Sequence, residues 1–176
     1  MKIDKEFIDS LLGQAEENPR RRMNFDMRTS PEDTSQRMLN ALLPGTAVPI
    51  HRHPGSTETV ILLRGSLDEI FYDVNANETW RVHLDPETGK YGCQIPAGVW
   101  HTVEVHAPSV IFEAKDGAYG NDGSETLTES IRRRVADFVE MERRSCSMQV
   151  MTPEYVARCL QISIDDAAEA LAASGE

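Results

Sequence analysis

The sequence predicts a mainly β fold, a sandwich or barrel of short strands, with a short helix before it and a small helical appendage after it. Three observations carry this. Between Ser35 and Glu113 the chain reads as short segments rich in β-branched and aromatic residues, among them "TVILLRGSLDEIFYDV", "TWRVHL", "WHTVEV" and "SVIFEA". Turn signals separate the segments at Pro44-Gly45, Pro54-Gly55, Asn75 to Asn77, Asp85 to Gly89, Pro96 to Gly98 and Ala107-Pro108. Breaks every roughly 8–12 residues belong to sandwiches and barrels rather than to βαβ units. On either side of this region the apolar period becomes that of a helix.

Taken in order, Ile3, Phe7, Ile8, Leu11 and Leu12 form one apolar stripe, which predicts a helix from Ile3 to about Gln14, ended by Gly13 and Asn18-Pro19. A polar, turn-rich stretch follows, with a short strand at Met23 to Met27. Residues 1–34 are thus a helix and lead-in, and residues 35–120 the β region. After the Gly/Asp/Ser-rich "DGAYGNDGSETLTES", residues 125–176 turn helical. Ile131, Val135, Phe138, Val139 and Met141 mark one amphipathic helix. Thr152 is the expected N-cap of a second, with Pro153 in its first position; Ser163 caps a third, with Asp165 and Asp166 at its positive end.

With 176 residues, 40% hydrophobic and 27% charged, the chain suits one soluble domain with an extension. Its 29 acidic and 18 basic residues leave a net charge of -11, which repels phosphate backbones and argues against nucleic acid. The last two helices have a helix-turn-helix outline, but "IDDAAEAL" offers no Arg, Asn or Gln for reading bases. No apolar run approaches the ~20 residues of a membrane span, and the first residues lack the apolar core of a signal peptide, so a cytoplasmic protein without membrane contact is expected. Cys93, Cys146 and Cys159 are few and scattered and read as reduced thiols.

One stretch carries chemistry. In "GTAVPIHRHPGSTETVILLRG", Gly45 precedes His51 by five intervening residues, His53 follows after one, Glu58 after four and Gly65 after six. Some thirty residues later "PAGVWH" places Pro96, Gly98 and His101. Residues i and i+2 of a strand point to one face, so His51 and His53 aim two imidazoles at one point. Pro54-Gly55 turns the chain, Glu58 returns beside them with Val60 and Leu62 on the same inward face, and His101 closes the set from a distant strand. Three imidazoles and a carboxylate suit Zn, Fe(II), Ni, Mn or Cu and leave positions for water or substrate.

This two-part pattern resembles the cupin signature, which implies a single jelly-roll type β-barrel holding one divalent transition metal (Zn, Fe, Ni or Mn). The chain departs from the second half in two places: Lys90 stands where a Gly usually opens it, and Val105 where an Asn usually ends it. The stretches "QRMLNALLPGTAVPIHRHP", "ETVILLRGSL", "IPAGVWHTVEV" and "VIFEAKDGAY", with "NPRRRMNFDM" before them, are similar to the cupin fold metalloproteins of the WbuC family. That resemblance covers about residues 15–120 and implies a metal cupin handling a small polar, sugar-like or carboxylated molecule.

Arg20, Arg21, Arg22 and Asn24 are candidates for binding an anionic substrate at the barrel mouth, since guanidinium groups pair well with carboxylate or phosphate. Asn40 shares parity with Met38 and Leu42 and opposes Arg37; which of the two faces inward stays open. Arg22, Asn24 and Asn40 complete the substrate-binding expectation. Trp100 should face away from the metal, packing in an outer layer or a dimer interface. Phe71, Tyr72 and Tyr119 suit a pocket or the core, and His83 and His106 read as rim residues. The expected function is a metal-dependent enzyme of oxygenase, isomerase or lyase type acting on a small molecule, in a homodimer. The alternative is a non-catalytic ligand- or metal-binding module with a helical interaction tail.

Overall fold

In the computed structural model, which describes residues 1–145 and 149–175, eight strands form one curled antiparallel sheet. They are β1 (Arg22–Asp26), β2 (Ser35–Leu42), β3 (His51–Arg52), β4 (Glu58–Tyr72), β5 (Glu78–Leu84), β6 (Gly92–Ile95), β7 (Trp100–Asp116) and β8 (Glu125–Thr126). β1, β2, β7, β3 and β8 lie side by side in that order, while β4 pairs with β7, β5 and β6. The two long strands, β4 and β7, are the spine of a jelly-roll type barrel. Leu62, Leu67, Phe71, Leu84, Ile95, Val105 and Ile111 fill its interior. Each such side chain, when fully buried, contributes about 1.5–3 kcal/mol.

Helix α1 (Lys5–Glu17) starts at Asp4, whose carboxylate accepts the Phe7 N–H at 3.1 Å. It runs past Gly13 to an Asn18 cap, longer than expected, because Leu11, Leu12 and Ala15 continue the stripe onto Leu39, Ala41, Leu43 and Val110. That packing outweighs the roughly 1 kcal/mol a glycine costs inside a helix. β2 therefore turns its odd residues to α1 and its even ones, Gln36, Met38, Asn40 and Leu42, to the interior.

Gly65 changes the faces of β4. Before it Glu58, Val60 and Leu62 are buried; after it the inward set is Leu67, Glu69 and Phe71, so the alternation has slipped by one. Leu62 stands opposite Ile111 and Leu67 opposite Val105, five residues on β4 against six on β7. Gly65 has φ +97, and a Cβ there would lie 2.3 Å from Ser109 Oγ and 2.5 Å from Pro108 O. Only glycine fits. Here β7 passes straight through Ala107-Pro108, where a break is expected from sequence. Proline is tolerated at such an irregularity, and the Ser109 hydroxyl takes over ladder bonding by accepting from Ser66 N at 3.1 Å and donating to Ala107 O at 2.7 Å.

The tail forms α2 (Leu127–Arg144), α3 (Pro153–Leu160) and α4 (Ile164–Ser174). Thr126 and Glu129 make a capping box on α2, and Thr152 and Ser163 cap α3 and α4 as expected. The buried face of α2 is Leu127, Ile131, Val135 and Val139; Met141 is 56% exposed and falls off it. Together with Val156, Ala167 and Leu171 these residues close over Trp100, which faces away from the barrel interior. Among the described residues no helix is long and apolar enough to cross a membrane. Cys93 and Cys159 are free thiols, and Cys146 lies outside the described residues.

Candidate metal centre

His51, His53, Glu58 and His101 meet, with one ligand atom from each lying within 4.8 Å of the others. β3 brings the first two: it is two residues long and lies between β7 and β8, with His51 in register with His101 on one side and Thr126 on the other. The turn after it is tied down by the Gly98 N–H, which donates to His53 O at 2.9 Å. Glu58 opens β4 and His101 is the second residue of β7. His53, Glu58 and His101 are 5%, 4% and 3% exposed, so the cluster sits inside the barrel.

The hydrogen bonds decide the tautomers. His51 Nδ1 lies 2.9 Å from Pro49 O and His101 Nδ1 3.0 Å from Val99 O. A carbonyl only accepts, so each Nδ1 carries the hydrogen, and each Nε2 of the neutral ring presents a lone pair to the centre. Yet His101 Nε2 lies 3.2 Å from Glu58 Oε2, as does His53 Nε2. Electron-rich atoms this close need a proton or a metal cation between them. Burial, reinforced by the neighbouring His101 imidazole, pushes His51 down to about 4, which keeps it neutral and ready to ligate. Burial pushes the Glu58 carboxyl up, but where a proton fills that gap, hydrogen bonds from His101 and His53 outweigh it and hold it below the usual range. The donor set thus fits a borderline divalent transition metal.

A cavity of about 260 Å³ opens from the cluster to the surface. Arg22, Asn24 and Asn40 all line it, together with Arg20 and Tyr119. Arg22 donates to Ala47 O at 3.0 Å, and Asn40 Nδ2 donates to Glu113. Arg21 turns away to Pro44 O, at 2.8 Å. Phe71 is core, stacked on Trp80, and Tyr72 packs toward the tail.

Three lining groups escape a reading by sequence: Glu69, Glu113 and Lys115. Glu69 is 1% exposed and its Oε2 has no hydrogen-bond partner among the described residues. Burial, then the charges of Glu113 and Glu58, push it well above the usual carboxylate range. Burial and Glu58 raise Glu113 too, against the opposing pull of Lys115 and Asn40. Glu113 is thus pushed up to about 8, which favours its neutral form at pH 7, and Glu69 is biased in the same direction. The Lys115 ammonium lies 2.8 and 3.0 Å from the two ring nitrogens of His53 and 3.4 Å from Asp122. Glu113 and Lys115 have the parity of His101 on β7, the one signal that could have revealed them. Glu69 becomes visible only once Gly65 shifts the alternation.

No curated protein matches the chain. Residues 3–84 match the family model described as a domain of unknown function, DUF6016. Among solved structures, oxalate decarboxylase from Bacillus subtilis is 14% identical over 84% of this chain, with a TM-score of 0.52. Oxalate oxidase is 12% identical over 87%, with a TM-score of 0.53. The fold is that of the cupins. A structure of CapF with an inhibitor is 20% identical over 59% of the chain, at a TM-score of 0.50. The chain spans about a third of the CapF and decarboxylase chains (31% and 34%) and 72% of the oxidase chain. Within this cupin barrel the His/His/Glu/His cluster is compatible with a metal ion.

Proposed function

We propose that this cupin holds one divalent transition metal with His51, His53, Glu58 and His101 and is an enzyme acting on a small anionic molecule, a carboxylate or a sugar acid. The observation that carries it is the approach of two imidazole Nε2 atoms to one carboxylate oxygen, each at 3.2 Å, inside a cavity that opens outward. When bound, the metal supplies a Lewis acid or redox centre for a substrate oxygen.

The chain's own groups do the rest. Arg20 and Arg22 at the mouth attract and orient an anion, with Asn24 beside them. The cavity admits a small molecule and not a polymer. Glu69 and Glu113 in its wall, when protonated, donate hydrogen bonds to a bound carboxylate and hold a proton ready for transfer. A neutral acid beside the ligand cluster favours proton-coupled lyase or isomerase chemistry over simple binding. The finer kinship with the WbuC family rests on the sequence stretches quoted above and agrees with such a substrate.

Elemental analysis after reconstitution tests the reading, with a competitive chelator titration of the variant His51→Ala/His53→Ala. The expected result is a cavity metal present in the native protein and lost in the variant, whose circular dichroism stays that of a folded barrel. Unchanged uptake by the variant overturns the ligand assignment. Screening the loaded protein against small carboxylates and sugar acids, with Glu69→Gln as the inactive control, tests the chemistry.

A further inference from the structure

On the face of β4 opposite to the cavity, a second group of metal-ligating side chains comes together. Asp68 of β4 stands in register with His83 of β5 on one side and Glu104 of β7 on the other, and His106 lies two residues beyond Glu104. Asp68 Oδ1 is 2.6 Å from His83 Nδ1, and Asp68 Oδ2 is 3.1 Å from His106 Nε2. The two imidazole rings are 5.8 Å apart, and one ligand atom from each of the three residues lies within 4.8 Å of the others. We infer that Asp68, His83 and His106 form a surface site for a borderline divalent cation of the Zn²⁺ class.

The chemistry fits. Two imidazoles and one carboxylate are a donor set for Zn²⁺, Ni²⁺ or Cu²⁺, with the remaining positions filled by water. Asp68 is anchored with only 10% of its side chain exposed, whereas those of His83 and His106 are 41% and 40% exposed and have room to turn toward an ion. Arg81 is the competitor, its Nη1 donating to Asp68 Oδ2 at 2.9 Å. It has other carboxylates to hold: Glu78, at 3.0 and 2.9 Å, and Glu104. An arriving cation can therefore replace it at Asp68 without stranding a charge. Among the described residues β5 pairs only with β4, so it is an edge strand. An ion held by β5, β4 and β7 clamps that edge into the spine of the barrel, a structural role separate from the cavity.

The test is the number of Zn²⁺ equivalents bound by the native protein and by His83→Gln/His106→Gln, in competition with a chromophoric chelator. Both changed residues are at the surface, so the variant should fold. Native protein is expected to bind one equivalent more than the variant with a Kd below about 10 µM. Co²⁺ loading should show a second d–d band that the variant lacks. If the cavity site fails, the expectation becomes one equivalent against none, so the two proposals are judged separately. Equal stoichiometry in the two proteins, or a Zn²⁺ affinity weaker than about 100 µM at the second site, overturns the inference and leaves a hydrogen-bonded cluster.

Discussion

Lys115 is the residue that sets how tightly the cavity takes a cation. Its ammonium touches both ring nitrogens of His53, so a positive charge already faces the ligand cluster. Two like charges about 4 Å apart repel by about 4 kcal/mol at an effective dielectric of 20. Asp122, itself bonded by Gln36 and Ser124, offers the ammonium a place to withdraw, so part of that repulsion is relieved. Lys115→Met should therefore tighten Zn²⁺ binding by about tenfold, read by chelator competition. Weaker binding would mean that the ammonium supports the ligands instead of opposing the ion. His51, His53, Glu58 and His101 were legible because their spacing is short-range and repeats known strand geometry. Lys115 was not, because its meaning depends on a strand running unbroken through a proline.

Among the elements, β4 shows what a single glycine does. Its alternation slips at Gly65, which directs Glu69 into the cavity and Asp68 to the opposite face. Gly65→Ala forces a Cβ against Ser109 and the Pro108 carbonyl at a positive φ. Left-handed strain and overpacking together should cost about 2–4 kcal/mol. For a chain of this size that lowers Tm by about 5–15 °C in a thermal melt. A shift near zero would show that β4 and β7 repack freely there. Most of the strands, the Thr152 and Ser163 caps and the helical tail were readable from period and turn chemistry. The register slip was not, since a glycine in a strand signals an irregularity without saying which way the faces change. His83 and His106 read as unrelated rim residues for the same reason: cross-strand registers, absent from a linear sequence, bring them together.

At the scale of the whole molecule, the buried carboxyl of Glu69 should leave its mark on stability. Glu69 is raised above its ordinary value of 4.5 in the folded chain. A carboxyl raised in this way contributes its full share below the ordinary value, and that share is lost as pH rises past it toward the raised one. Glu69→Gln keeps the shape and removes the titration. Its stability advantage over the native protein, read from denaturant melts, should widen as pH rises above the ordinary carboxylate range. A constant difference over that rise would mean the carboxyl is not held neutral.

β3, the two-residue strand of His51 and Arg52, has the barrel on one side and the root of α2 on the other. Arg52 adds to this: its guanidinium lies 4.4 Å over Trp100, beneath the tail, and binds Glu125, which also holds Arg133 at 2.7 Å. Consecutive residues of one strand thus serve the cavity and the tail. Whatever stiffens one must stiffen the other by the same free energy, since linkage runs equally in both directions. The helical appendage is in this sense an abutment against which the ligand strand is braced, and loading the cavity and docking the tail become two readings of one equilibrium.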